Sequence, residues 1–136
     1  MIEHTRGLFG LLIIGAAPLA AQRTGAVLPG AVASPGRYAG NCPARIEFVG
    51  HVTVTVPGTR IDYRWERSNG DSTRLLHAQI GNAADTARTP LTDAIPSDVW
   101  RVALPGRGGV FWEVLHIEAP FDIRSQPARV TVDCRE

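Results

Sequence analysis

The strongest constraint on the fold of this chain is an alternation of apolar and polar residues that begins at Cys42. From Cys42 to Val56 the even-numbered positions hold apolar or small residues, whereas charged residues such as Arg45 and Glu47 fall on odd-numbered positions. Successive side chains of a β-strand point to opposite faces, so this period of two predicts a strand with one buried face. Because 15 residues is long for one strand, we expect a bend at Gly50, where the chain could pass from one sheet to another.

The same alternation returns several times towards the C-terminus. It predicts strands over 61–66, 76–80, 97–104 and 128–134, and the largely apolar segment 110–117 predicts a central strand covered on both faces or one that carries a bulge. Pro57-Gly58 predicts a turn, and Asn69-Gly70 is a strong hairpin signal. The segment 81–96 has no clear period, so we expect a loop there with one short edge strand near 86–89.

These segments give seven or eight short strands, and no segment has helical spacing. The pattern predicts an all-β fold, a two-sheet antiparallel sandwich, with a small barrel as the alternative because strand patterns do not separate the two. The 14 glycines and 10 prolines are typical of many tight turns. All 14 basic residues are arginines, spread along the chain against 13 acidic residues, which argues against the concentrated basic surface of a nucleic-acid-binding domain.

Two cysteines, Cys42 and Cys134, bracket the alternating part of the chain. Both fall on the apolar positions of their strands, so we predict that they form a disulfide in or beside the core. By chain-entropy arithmetic, closing a loop of this length lowers the entropy of the unfolded chain by an amount worth about 4–5 kcal/mol. A zinc site or a catalytic cysteine is the alternative, but the local sequence supplies neither clustered ligands nor a base.

The first 21 residues have the composition of a secretory signal. Residues 7–21 are uncharged and end in Leu19-Ala20-Ala21. A helix of 15 residues spans about 22 Å, which is short for the hydrocarbon core of a bilayer. We therefore predict a signal peptide over 1–21, with an uncleaved membrane anchor as the alternative. Residues 22–37 predict a flexible linker, or a strand-like arm if it finds a sheet edge, and the folded domain is expected over 38–136.

Short motifs at both ends and in the middle of the predicted domain resemble those of a known class of proteins. They are Cys42-Pro43, Tyr63-Arg64-Trp65 followed by Ser68-Asn69-Gly70, and the terminal run from Val130 to Cys134. Together they resemble small secreted bacterial proteins with an immunoglobulin-like sandwich, over roughly residues 38–135. The resemblance implies an immunoglobulin-like architecture and carries over no binding surface or active site. It departs from antibody domains, whose cysteines join two internal strands rather than the chain ends.

The histidines are the main candidates for metal chemistry. Outside the predicted signal peptide they are His51, His77 and His116, each on a different predicted strand. Some β-sandwich proteins hold copper or zinc through such residues, but these three lack the short spacing of a ligand motif. We therefore expect them at the surface or at strand edges and predict no metal site.

Other residue pairs and motifs predict little chemistry. Glu113 with His116 could form an acid–base pair, and Asp62 with Arg64 is expected to form a solvated ion pair. The sequence contains no nucleophile elbow, phosphate-binding loop or metalloprotease motif, so no catalytic or cofactor-binding residue is predicted. The three tryptophans, Trp65, Trp100 and Trp112, are expected in the core, although Trp100 or Trp112 would mark a contact patch if it faced solvent.

The interpretation that fits these features is an exported, non-catalytic interaction or structural module of the cell envelope, without a cofactor. Its expected partner is another protein or an envelope component, and no nucleic acid. The candidate contact surfaces are the loops 81–96 and 105–109 and any uncovered sheet edge. Two alternatives remain: a metal-binding protein or metalloenzyme that uses His51, His77 and His116, and an accessory subunit held at a membrane by an uncleaved N-terminus.

Overall fold

The computed structural model describes residues 25–85, 87–102 and 107–135, and every regular element in these ranges is a β-strand. The strands are β1 (Val27–Ser34), β2 (Arg37–Gly40), β3 (Ala44–Val54), β4 (Thr59–Arg67), β5 (Leu76–Ile80), β6 (Leu91–Val102), β7 (Gly109–Ala119), β8 (Ile123–Arg124) and β9 (Ala128–Cys134). The predicted all-β class is confirmed, with nine strands where seven or eight were expected. The predicted signal peptide lies outside the described residues.

The strands form two sheets that pack face to face. The smaller sheet has the order β1-β3-β6, and the larger has the order β2-β9-β7-β4-β5, with β8 beside β7. Neighbouring strands are antiparallel except for β2 and β9, which run parallel. Apolar side chains of both sheets form one buried cluster, to which β3 contributes Phe48, β4 contributes Trp65 and β7 contributes Leu115. The fold is a two-sheet sandwich, as predicted, with one parallel pair.

Strand β3 shows how the alternation produces the core. The even-numbered residues from Ala44 to Val54 are buried, whereas the odd-numbered residues between them are exposed or half-buried. The irregularity expected at Gly50 is present, because the register between β3 and β6 shifts between Phe48 and Gly50. A Cβ at Gly50 would lie 2.9 Å from the Trp65 ring, so glycine makes room for that side chain.

The expected passage of this strand between sheets is wrong. Strand β3 pairs with β1 and β6 on both sides of Gly50. The extra residue of the bulge lies on β6, since Phe48 is opposite Asp98 while Gly50 is opposite Ile95. The bulge therefore changes the phase of β6 and leaves β3 in one sheet.

The prediction of a flexible linker is wrong from residue 27 onwards, and the strand-like arm is what the structure contains. All eight residues of β1 are in register with β3, and Val27 and Ala33 are buried. Strand β2 then pairs with β9. Backbone pairing with a sheet edge offsets the ordering entropy of a segment whose small side chains bury little by themselves.

The central position predicted for 110–117 is confirmed. Strand β7 pairs with β4 along one edge and with β8 and β9 along the other, and its residues from Glu113 to Ile117 are all buried. The edge strand expected at 86–89 is not formed by 87–89, and Thr86 lies outside the described residues. Strand β6 begins instead at Leu91 and ends at Val102, and the last two residues of the strand predicted over 97–104 lie outside the described residues.

The Asn69-Gly70 hairpin is confirmed, with a longer connection than a two-residue turn. Strands β4 and β5 are joined by residues 68–75, and Gly70 has a φ of 90°. Its backbone N–H donates to the Arg67 carbonyl at 2.9 Å. A positive φ costs little for glycine, which explains glycine at this turn.

The predicted disulfide is present between Cys42 and Cys134, whose Cα atoms are 5.5 Å apart. It joins the segment before β3 to the last residue of β9, so it holds together strands that belong to different sheets. In the described ranges, no helix has the length and apolar character needed to cross a membrane.

Candidate functional site

One end of the sandwich contains an open pocket of about 600 Å³, which we name the end pocket. It lies where β3 begins, β6 ends and β7 begins. Its walls are Pro43, Asn69, Trp100, Arg101, Val102, Arg107 and Phe111. The volume is within the range of small-ligand sites, and the mixture of aromatic and basic groups is typical of binding surfaces.

An aromatic pair from the two sheets forms the apolar wall of the end pocket. The rings of Trp100 on β6 and Phe111 on β7 meet edge to face, with centroids 5.9 Å apart and an interplanar angle of 88°. Trp100 also approaches Phe48 in the core, at a centroid distance of 6.3 Å. The half-buried Trp100 therefore links the core to the pocket, and such pairs contribute beyond the area that they bury.

Arg67, at the end of β4, lies behind this wall. Its guanidinium carbon is 5.3 Å from the centroid of the Trp100 ring, within the range of a cation–π contact. The same group donates to Asp98 Oδ2 from Nη2 at 2.9 Å and from Nε at 3.3 Å. Its Nε is also 4.0 Å from Glu113 Oε1. The charge of Arg67 is thus directed towards the interior of the sandwich.

Glu113 is a fully buried carboxyl group in this cluster. Neither of its oxygens has a hydrogen-bond partner of good geometry in the structure. Burial, and after it the neighbouring Asp98 carboxylate, raises the pKa of Glu113 to about 9, against the smaller lowering by Arg67. Glu113 is therefore protonated and uncharged at neutral pH, and the one positive charge of Arg67 is matched by the one negative charge of Asp98.

The arginines that line the end pocket are placed differently from Arg67. Arg101 and Arg107 are exposed, and neither forms an ion pair with any residue in the described ranges. Arg45 on β3 lies opposite Arg101 on β6, and it also forms no ion pair with any residue in the described ranges. The rim of the pocket therefore carries positive charge that no acidic residue in the described ranges pairs with.

The structure does not bring the three candidate histidines together. His51 lies on the smaller sheet, where it packs over Gly30 of β1, whereas His77 and His116 lie on the larger sheet. His77 Nδ1 is 2.5 Å from Asp62 Oδ1, and His116 Nε2 is 2.6 Å from Asp122 Oδ1. Among the residues that the structure describes, no three histidine, cysteine, aspartate or glutamate side chains form a group that could hold a metal ion.

The outer face of the larger sheet carries a network of paired charges. Arg124 Nε donates to Glu66 Oε1 at 2.7 Å, and His116 Nδ1 is 3.5 Å from the same oxygen. The hydrogen bond from Arg124, which outweighs the opposing effect of burial, lowers the pKa of Glu66. The hydrogen bond from His116 likewise lowers the pKa of the Asp122 carboxyl. His116 itself is buried, against the surface or edge position expected for it, and its Nδ1 has no hydrogen-bond partner of good geometry in the structure.

Two pairings expected from sequence spacing are wrong. Glu113 and His116 point to opposite faces of β7, because residues three apart on a strand lie on opposite faces. Asp62 and Arg64 share a face of β4, but Asp62 pairs with His77 on β5 and Arg64 Nε lies 2.6 Å from Glu118 Oε1 on β7. Cross-strand neighbours thus compete successfully with neighbours along the strand.

The tryptophans divide into three environments. Trp65 is buried in the core, as expected, and Trp100 packs against the core with one side open to the end pocket. The core position expected for Trp112 is wrong. It is half-buried on the outer face of the larger sheet, opposite Arg129 of β9, and lines a shallow groove with Arg124.

Comparisons with known proteins bear on the fold. No protein-family profile and no curated protein sequence matches the chain. The CARDB domain of a Pyrococcus furiosus protein, solved in complex with di-metal ions, is similar in structure, with a TM-score of 0.58 and 12% sequence identity over 82% of this chain and 96% of that domain. At this identity the likeness shows the fold alone, and the chain has the architecture of an immunoglobulin-like β-sandwich.

Proposed function

We propose that this chain is an exported, non-catalytic interaction module of the cell envelope and that its binding site is the end pocket. The observation that carries the proposal is that two arginines without an acidic partner in the described ranges, Arg101 and Arg107, line a pocket beside the half-buried ring of Trp100. Exposed arginine beside an accessible tryptophan is the composition of binding hot spots. The CARDB-like fold is compatible with such a role, although a fold alone does not define a function.

The disulfide supports export. Disulfides form and persist in oxidising compartments, and Cys42–Cys134 is a structural bond that joins the two sheets. The predicted signal peptide over 1–21 gives the same destination. Mass spectrometry of the mature protein tests this part: a first residue near Gln22 supports export with cleavage, whereas an intact N-terminus would favour the membrane-held subunit.

The interaction itself can be tested by site-specific photo-crosslinking in cells that naturally produce the protein. A photoreactive residue replaces Asn69, on the pocket wall, or Asn82, an exposed asparagine in the turn after β5 at the other end of the sandwich. The proposal expects a discrete adduct from position 69 and none from position 82. Equal labelling at both positions, or no adduct at either, would overturn the assignment of the end pocket.

Metal binding is the competing function. The structurally similar CARDB domain was solved in complex with di-metal ions. Elemental analysis of protein purified without an affinity tag provides the test. Stoichiometric copper or zinc that is lost when His51, His77 or His116 is substituted would favour metal binding over the interaction proposal. A metal content that does not change with these substitutions would leave the interaction proposal in place.

A further inference from the structure

We infer that the end pocket binds an acidic segment of a partner protein in which an aromatic side chain lies next to a carboxylate. This inference rests on the proposed function and specifies its ligand. The aromatic side chain would pack on Trp100 and Phe111, and the carboxylate would accept hydrogen bonds from Arg101 and Arg107 on the rim. Nothing in the sequence motifs or in the fold comparison assigns this site.

The apolar part of the ligand follows from the wall. Trp100 and Phe111 meet edge to face, so that each ring leaves part of its surface open to the pocket. A third ring can extend this arrangement by offset stacking or by another edge-to-face contact. Pro43 and Val102 complete an apolar surface, and the 600 Å³ of space holds one large side chain with the adjoining backbone.

The acidic part of the ligand follows from the charges at the rim. No acidic group in the described ranges lies within ion-pair distance of Arg101 or Arg107. Asp98 pairs with Arg67 at 2.9 Å, Glu47 accepts a hydrogen bond from Ser97 at 2.7 Å, and Asp71 accepts one from Asn69 at 2.9 Å. Arg67 is turned inward by Asp98. Arg101 and Arg107 are therefore the guanidinium groups available to a ligand, and guanidinium matches a carboxylate through paired hydrogen bonds.

The frame around the pocket is held before any ligand arrives. The disulfide fixes Cys42, next to Pro43, to the end of β9, and the half-buried Arg67–Asp98 pair ties β4 to β6. A frame that is already formed lowers the conformational entropy lost on binding.

A peptide titration tests the inference. The probe is a capped five-residue peptide with one phenylalanine flanked by two aspartates, followed through the Trp100 indole N–H signal in two-dimensional NMR spectra. We expect saturable shifts at Trp100 and Arg101, and binding weakened at least about tenfold by the R101Q/R107Q double variant, since each charged hydrogen bond contributes about 1.5–3 kcal/mol. Binding should also weaken several-fold when ionic strength is raised from about 20 to 300 mM.

The control variant is R60Q/R129Q, which removes the same charge from two exposed arginines that lie away from the pocket and have no ion-pair partner in the described ranges. It should bind the peptide within about twofold of the unsubstituted protein. A control peptide with asparagines in place of the aspartates should bind at least fivefold more weakly, and so should 3-phenylpropionate, which lacks the peptide backbone.

The inference is overturned if R101Q/R107Q binds the acidic peptide as tightly as R60Q/R129Q, if the asparagine peptide binds equally well, or if 3-phenylpropionate alone matches the peptide. Failure of the broader proposal looks different. Photo-crosslinking from Asn69 without peptide binding would retain the interaction module and reject this ligand class. If neither a crosslink from Asn69 nor peptide binding is observed, both the interaction module and this ligand class are rejected.

Discussion

The two ends of the sandwich are closed by different means. At the end that holds the pocket, closure is by side chains: the Cys42–Cys134 disulfide and the half-buried Arg67–Asp98 pair. At the opposite end, where β4 begins and β5 ends, closure is by hydrogen bonds that backbone N–H groups donate. The Gly58 N–H donates to the Ile80 carbonyl at 2.8 Å, and the Gly81 N–H donates to Asp93 Oδ2 at 2.7 Å.

This difference determines which side chains at each end are available to bind a partner. Backbone hydrogen bonds close the opposite end and engage its turn residues in the fold. The pocket end is held by a covalent bond and a half-buried ion pair, so its outer side chains are not needed for closure. Arg101, Arg107 and one side of Trp100 are therefore available to a partner. Substitutions at one end or the other test this separation.

Removal of the disulfide should have the largest effect. The double substitution Cys42→Ser and Cys134→Ser should lower the free energy of unfolding by about 4 kcal/mol. Without the crosslink the unfolded chain regains conformational entropy, so folding has to overcome a larger entropy loss. Urea denaturation of the variant and of the unsubstituted protein gives the difference. A loss of less than about 1 kcal/mol would show that the pocket end does not depend on this bond.

Glu113 should make the pocket end sensitive to pH. Between its ordinary pKa of 4.5 and the raised pKa of about 9, folded Glu113 keeps a proton that the unfolded chain has lost. Unfolding then releases a proton, so stability contributed by Glu113 falls as pH rises, by up to about 1.4 kcal/mol per pH unit. Below pH 4.5 this dependence disappears. Relative to E113Q, the unsubstituted protein should therefore lose stability steadily from pH 5 to 9.

Glu66 provides a control of opposite sign for the same denaturation series. Because its pKa is lowered, chiefly by the hydrogen bond from Arg124, its contribution is present at neutral pH and is lost as the solution becomes acidic. The stability difference between E66Q and the unsubstituted protein should be flat from pH 6 to 9. If E113Q behaves in the same way, Glu113 is ionised in the folded protein and the account of the cluster is wrong.

A glycine pair tests the opposite end. Gly81 has a φ of 72°, and a Cβ there would lie 1.8 Å from Leu91 Cδ2, so Gly81→Ala adds both backbone strain and a core clash. Gly70 has a φ of 90°, but a Cβ there would meet nothing within 4 Å. We expect Gly81→Ala to cost about 2–3 kcal/mol and Gly70→Ala about 1 kcal/mol by thermal denaturation. Equal costs would show that Leu91 gives way without penalty.

The sequence allowed the fold to be predicted better than the site. Alternation identified β3, β4 and β9, because each of these strands has one buried face and a constant phase. Strand β1 was expected only as the alternative to a flexible linker, because its alanines, glycine and proline bury little and its order comes from pairing with β3. Pairing with a distant strand leaves no periodic signal in a segment of small residues.

The end pocket was predicted only in part, because the candidate loop 105–109 contains Arg107 and Trp100 was a possible contact residue, but their meeting was not predicted. On β6, the buried Leu91 and Ile95 have odd numbers, whereas Asp98, Trp100 and Val102 face the interior from even-numbered positions. The bulge beside Gly50 causes this change of phase and turns Asp98 towards Arg67. The change of parity along β6 was the available signal in the sequence. The contact with Arg67 depends on the packing of the two sheets, which alternation within one strand does not encode.

The central claim is that a partner binds at the pocket end through the rim arginines. Photo-crosslinking from Asn69 in the R101Q/R107Q background tests it most directly, with the R60Q/R129Q background measured in parallel. The account predicts at least a tenfold loss of the adduct in the first background and an unchanged yield in the second. An adduct that persists at full yield without Arg101 and Arg107 would contradict it.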